Sequence, residues 1–280
     1  MSPPRPCAWL RPGDRRVIVP PLLFAVLMWF VGTAAIVWLD SRPRATFAFS
    51  LAAAGVLGIA AMGYVRHIAG DASQGGAYGA FAAAIVIWGW HEMSFLMGFV
   101  AGPNHDECPA GARGWQRFAA ATATVIHHEL AIAATAIALF ALTWGMPNQT
   151  APLTFLLLFV MRLSAKFNLY LGVPNLSDEV FPEHLAYLKS YFHKARMNAL
   201  FPFSIALGLA LAAWGWIAAW HAAPGSGLAA SGMMLAGLAA LAVIEHIFLV
   251  LPLRDARMWQ WASSSNRPAR VAALLEPSGE

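Results

Sequence analysis

Charge is what this sequence has least of. Of its 280 residues, 11% are Asp, Glu, Lys or Arg and 59% are hydrophobic, with a mean hydropathy of +0.58. A soluble domain carries about 25% charged residues. A fraction this low leaves too little polar surface to coat a water-soluble globule. Cysteine is nearly absent too. Only Cys7 and Cys108 occur, and the topology below puts them on opposite sides of a membrane, so no disulfide framework or cysteine metal site is expected. Soluble catalytic signatures are missing: there is no P-loop, no Gly-x-Gly-x-x-Gly fingerprint and no Gly-x-Ser-x-Gly elbow. The formal charge of +4 and pI of about 9.4 come from tails and short loops, not from a basic stripe with stacking aromatics, so no nucleic acid is expected as a partner. A cleavable signal peptide is not expected either. Arg15 and Arg16 precede an apolar run too long for one, which reads as a retained first helix.

What is abundant is apolar sequence in runs of membrane-spanning length. A helix needs about 20 such residues to cross the hydrocarbon core. Seven segments qualify: 17–39, 46–65, 77–101, 118–143, 151–172, 199–220 and 228–252. They are rich in Ala, Leu and Gly and lack the period-two alternation of a membrane barrel. The expected fold is therefore all-α, a polytopic bundle of seven transmembrane helices over 15–262 with tails at 1–14 and 263–280. The longest loop, 173–198, adds a short amphipathic interfacial helix. Ser177 or Asp178 can cap it, Pro182 suits its first turn, and Glu183 can face its dipole favourably. Leu185, Leu188 and Phe192 recur there at helical spacing. That pattern fits a helix on the membrane surface or equally one packed over the bundle end. Trp38, Trp144 and Trp220 fall near helix ends, as an interfacial aromatic belt requires.

Lys and Arg set the orientation. Eleven lie in the loops and tail on the side of the C-terminus and five on the side of the N-terminus. The bias predicts a cytoplasmic C-terminus and an outside N-terminus.

Ionisable residues inside the helices carry the functional argument. His91-Glu92 lies in WGWHEMSF, His127-His128-Glu129 in VIHHELAI and Glu245-His246 in AVIEHIFL; Arg162, Lys166 and Asn168 lie in VMRLSAKFN. One such residue at the bilayer centre costs at least about 2.5 kcal/mol, so they should turn inward and satisfy one another. Arg162 and Lys166, four apart, share a helix face. Counted from the helix ends, Glu92, His128, Lys166 and Glu245 fall in one layer displaced toward the cytoplasmic side. Several readings of the layer stay open. It is a structural ion-pair network, or a metal site, or a pigment or haem site, or a proton relay. Glu92, His128, Glu129, Glu245 and His246 are the candidate metal or pigment ligands. Against a di-metal centre, the acids and imidazoles are adjacent rather than spaced Glu-x-x-His.

The strings WGWHEMSFLMGFVAGP, HHELAI, TWGMPNQTAPLTFLLLFVMRLSAKFNLYLGVPNL, FPEHLAYLKSYF, MNALFPFS and EHIFLVLPL resemble the PuhE-type photosynthetic complex assembly family of purple bacteria, over roughly residues 20–262. The resemblance implies a photosynthetic-membrane factor, more an assembly factor than an enzyme. It would assist formation of the reaction centre and its antenna or modulate bacteriochlorophyll supply to them. Its partners would be reaction-centre or antenna subunits or pigment-synthesis proteins, and its ligand bacteriochlorophyll or a precursor. The alternative is a membrane metalloenzyme acting on a pigment precursor or lipid. The positions carried over are Glu92, His128, Glu129, Arg162, Lys166, Asn168, Glu183, His184, Glu245 and His246. The family often has glutamine where this chain has His91, which makes Glu92 the stronger candidate of that pair.

Overall fold

A computed structural model describes residues 12–176 and 182–251. The described residues are helical, with two isolated bridges and no strand. The helices are α1 (Pro12–Asp40), α2 (Phe47–His67), α3 (Gln74–Leu96), α4 (Gly114–Ala123), α5 (Ile126–Leu142), α6 (Thr150–Leu171), α7 (Phe201–His221) and α8 (Gly227–Phe248). Six are long and apolar enough to cross a membrane, seven if α4 and α5 form one span bent by 66°. The expected tails fall almost wholly outside the described residues, as do Cys7, Ser177 and Asp178.

Helices α3 and α8 start where short polar side chains take up their free amides. Ser73 accepts from Gly76 N at the head of α3, and Ser226 accepts from Ala229 N at the head of α8. Such caps satisfy backbone donors that have no partner within the helix. The Asp71 carboxyl accepts hydrogen bonds from Ser73, which holds it below its ordinary acidity range. Ser73 and Ser226 form a bridge, and Gly227 N donates to Ala72 O at 3.0 Å. The two caps therefore sit together, and α3 and α8 run parallel from one end. Asn148 N donates to Ala69 O at that same end, so α6 runs parallel to them. Ile36 against Gly89 and Gly32 against Ile85 align α1 in the same direction. Short connections make α2, α5 and α7 antiparallel to these four.

Burial ranks the helices. In α8 78% of the apolar window is buried, in α3 61%, in α1 only 6%. Helices α3 and α8 are thus the central pair, packed through Phe81, Ile85, Met234 and Leu238. A second core, with Val65, Ile132, Leu139 and Phe155, joins α2, α3, α5 and α6. Phe49, Ile59, Ile137 and Phe203 lie on outer faces, each at least 70% exposed, as lipid-facing residues should be. In lipid, helices associate through close packing of small residues. A Cβ on Gly215 of α7 would come 2.7 Å from Gly232 O, and one on Gly232 of α8 would come 2.6 Å from Gly215 O. Backbone meets backbone there and cannot yield. Gly215→Ala should cost about 1–3 kcal/mol by overpacking, and Gly215→Leu should leave little folded protein. Denaturant titration of purified protein in detergent measures both.

Two boundaries differ from the sequence reading. First, α3 ends at Leu96, not residue 101. Gly98 takes a positive φ of 80°, and Phe99 N and Val100 N both donate to Ser94 O, which closes the helix with a left-handed turn. Second, the run 118–143 is not continuous: α4 and α5 are separated at Thr124 and Val125. Backbone freed inside a membrane must be satisfied within the protein, and the segment after α3 does this. Asn104 N donates to Ala123 O at 3.1 Å, Asn104 Nδ2 to Ala120 O at 3.2 Å, and His128 N to Ala101 O at 2.9 Å. The short helix expected in the long loop is the 3₁₀ helix Glu183–Tyr191. Leu185 and Leu188 are buried with Phe95 and Ala101, so it roofs the bundle end, the second of the two expected placements.

Candidate functional site

Helix α6 carries both cations, and each meets a carboxylate from a different helix. Arg162 Nη2 donates to Glu92 Oε2 of α3 at 3.0 Å. Lys166 Nζ donates to Glu129 Oε1 of α5. These are the two ion pairs among the described residues. The positions suit the backbone dipoles. Both cations lie in the C-terminal half of α6, nearer its negative end, and Glu129 lies in the first turn of α5, at its positive end. Because α3 ends early and α5 starts late, the layer sits within about two turns of the helix ends, beneath the roof. The sequence reading placed it deeper. Three of the four side chains are mostly covered, whereas the Arg162 side chain is 45% exposed, so the layer opens on its flank.

A neutral network continues from the same stretch of α6. Ser164 Oγ lies 2.8 Å from Ser204 Oγ of α7 and 3.1 Å from His246 Nε2 of α8. Asn168 Nδ2 donates to Ser204 Oγ at 2.8 Å and to Ser164 O at 2.9 Å. Asn198 Nδ2 reaches Asn168 Oδ1 at 3.0 Å and Gly172 O at 2.9 Å. His246 Nδ1 lies 2.8 Å from Ala242 O. A carbonyl only accepts, so Nδ1 carries the proton and Nε2 accepts from Ser164. Every donor from Asn168 to His246 then has a partner. Ser164, Ser204 and Asn198 escaped the sequence reading. Their signal was present, since small polar residues in apolar helices need partners across an interface.

The sequence candidates thus divide. Glu92, Glu129, Arg162 and Lys166 form the ion-paired layer. Asn168 and His246 belong to the neutral network. Glu245 lies on the exposed side of α8, where its charge acts on Arg162. His184 Nε2 lies 2.7 Å from Leu96 O and pins the roof to the end of α3. Glu183 opens the 3₁₀ helix, and its side chain lies outside the described residues. His91 Nε2 lies 3.0 Å from Thr135 Oγ1 of α5. His128 is fully buried, stacked on Phe95 with ring centroids 4.7 Å apart, and neither ring nitrogen has a protein partner. His127, its neighbour, is exposed.

This geometry bears on ligands. No group of three His, Cys, Asp or Glu among the described residues could hold a metal ion. The carboxylates are instead spent on Arg162 and Lys166. Axial ligation of a pigment needs an imidazole nitrogen open to the ring, and His128 and His246 are 0% and 1% exposed.

The fold and site define a multi-pass helical membrane protein whose buried charges are matched across helices. The chain belongs to the family described as Protein of unknown function (DUF3623), whose model matches residues 16–270. It is 39% identical over 262 residues to a Rhodobacter capsulatus protein described as an uncharacterized 30.4 kDa protein in the puhA 5′ region, an overlap covering 91% of this chain and 94% of that one. No solved structure matches the chain.

Proposed function

We propose that the chain is an integral membrane factor that assists assembly of the photosynthetic reaction centre and its antenna, the PuhE-type role its strings resemble. The observation that carries this reading is the near full-length relative described as lying in the puhA 5′ region of Rhodobacter capsulatus. Charges paired across α3, α5 and α6 and a neutral network across α6, α7 and α8 tie the bundle together, as a scaffolding role would use. A direct pigment ligand at His128 or His246, and a metalloenzyme built on Glu92, Glu129 and Glu245, draw no support from the geometry.

Deleting the gene in its host should lower the near-infrared absorbance of assembled reaction centre and antenna while their transcripts persist. Wild-type gene supplied in trans should restore it. Normal complexes in the deletion strain would end the proposal.

The resemblance implies a bacterial inner membrane, and the Lys and Arg bias favours a cytoplasmic C-terminus. Cys108 lies beyond α3, on the proposed cytoplasmic side, and is partly exposed. In a Cys7→Ser background, an impermeant maleimide should label Cys108 in inverted vesicles and not in intact cells. The reverse pattern would invert the topology.

A further inference from the structure

Between α3 and α6 the chain must return across the membrane, because both helices start at one end of the bundle. Asn148 N, just before α6, donates to Ala69 O, just before α3. At the other end His128 N donates to Ala101 O and Asn104 N to Ala123 O, which seats the head of α5 beside the foot of α3. Helix α5 makes the return. Its 17 residues reach about 25 Å at about 1.5 Å each, against a hydrocarbon core of about 30 Å. Trp144, 83% exposed, marks the interface just past its foot. The few ångströms still to be covered lie at its head, where α4 joins.

Helix α4 turns 66° away from α5. Its 10 residues are about 15 Å long, yet at that angle they add only about 6 Å along the α5 axis. It therefore runs mostly across the direction of crossing, at the level where the hydrocarbon ends. A re-entrant segment needs enclosing protein, but no residue of α4 is buried. The helix has two sides. Arg117 Nη2 donates to Tyr170 O at the foot of α6 and to Tyr191 O of the roof, its guanidinium covers the Tyr170 ring, and Phe118 meets the edge of that ring. Trp115 and Ala119, one turn apart, are exposed on the edge away from Arg117. Trp115 is 77% exposed. Its indole is a large apolar surface with one polar N–H, which suits the membrane interface better than open water.

We propose that α4 is an interfacial helix, lying along the membrane surface with Trp115 and Ala119 against the boundary of headgroups and acyl chains, and that α5 alone makes the crossing. Lipid is the occupant of this edge, because α4 leads directly into α5, whose Leu130 and Ile137 are 59% and 70% exposed. The surface helix expected in the long loop is thus found one loop earlier. Glu129, three residues into α5, then sits about 5 Å below α4. Its partner Lys166 reaches toward the polar zone, as a long cationic side chain does near a helix end. Through Arg117, α4 holds the roof and the foot of α6 at a fixed level relative to the headgroups.

Nitroxide labels on Trp115→Cys, Ala119→Cys and Leu130→Cys test this, each in a Cys7→Ser, Cys108→Ser background and reconstituted into phosphatidylcholine–phosphatidylglycerol vesicles. Relative collision rates with oxygen and with a nickel chelate report depth. Positions 115 and 119 should both lie at the headgroup boundary, about 2 Å apart in depth, with position 130 about 9 Å deeper than 119. If Trp115→Cys does not reconstitute, Gln116→Cys, adjacent and exposed, takes its place. A depth difference of about 6 Å between 115 and 119 would make α4 a straight continuation of the span. Nickel access equal to that of a label in water would put α4 in the aqueous phase. Shielding from oxygen and nickel alike would mean that protein covers the edge. Each of these three results overturns the proposal.

Discussion

Glu129→Leu should destabilise the protein by about 3 kcal/mol or more, and Lys166→Met by a similar amount, whereas the double variant should recover most of the loss. Each single change strands one charge where Lys166 and Glu129 are largely covered. Removing one partner of a buried pair costs about 3–5 kcal/mol, whereas replacing both by apolar groups of similar size is often neutral. The coupling should also exceed that of the Arg162–Glu92 pair, because Arg162 is nearly half exposed and water screens it. A double-mutant cycle by denaturant titration in detergent measures both couplings. Additive losses at Lys166 and Glu129 would show that the two side chains do not interact in the membrane.

Gly102→Ala should be as damaging, although it adds one methyl group on a loop. Its Cβ would lie 2.1 Å from Ala123 O, 2.6 Å from Thr124 C and 2.8 Å from Val125 N. All three are backbone atoms at the break between α4 and α5. The loop cannot stay seated, so the bonds from Asn104 to Ala120 and Ala123 and from His128 to Ala101 would be lost together. Unsatisfied backbone groups in hydrocarbon cost several kcal/mol each. Gly102→Ala should therefore cost more than Gly98→Ala, where a positive φ is strained but the nearest neighbour is the movable His184 ring, 3.0 Å away. Thermal unfolding of the two variants ranks them. Equal stability would mean the loop does not support the broken span.

Much of the architecture was legible because hydrocarbon is an unforgiving solvent. Apolar runs of about 20 residues marked the spans within a few residues at Thr150–Leu171 and Phe201–His221. Intolerance of single charges put Glu92, His128, Lys166 and Glu245 in one expected layer; in the structure Glu92 and Lys166 are ion-paired there, whereas Glu245 lies on the exposed side of α8. The break at Thr124–Val125 was not legible, because hydropathy is blind to backbone hydrogen bonding. ATATVIHHEL holds no Gly or Pro to mark a break. The carbonyl of Ala101 and the side chain of Asn104, both outside the run, decide it. Asn168 and His246 were expected among the charges. They joined serines instead, because each serine hydroxyl can donate and accept and so complete a neutral chain that a carboxylate could not.

The burial ranking has a consequence for how the chain is made. Helix α8 is the most enclosed of the described spans and follows the others along the chain, yet α1 and α3 are packed around it. The first six spans therefore enter the bilayer with the slot for the seventh unfilled. Any product stopped before residue 227 presents the inner face of α3 to lipid, with Glu92 and Arg162 beside an open gap. Such a fragment lacks the partner against which Phe81 and Ile85 of α3 pack.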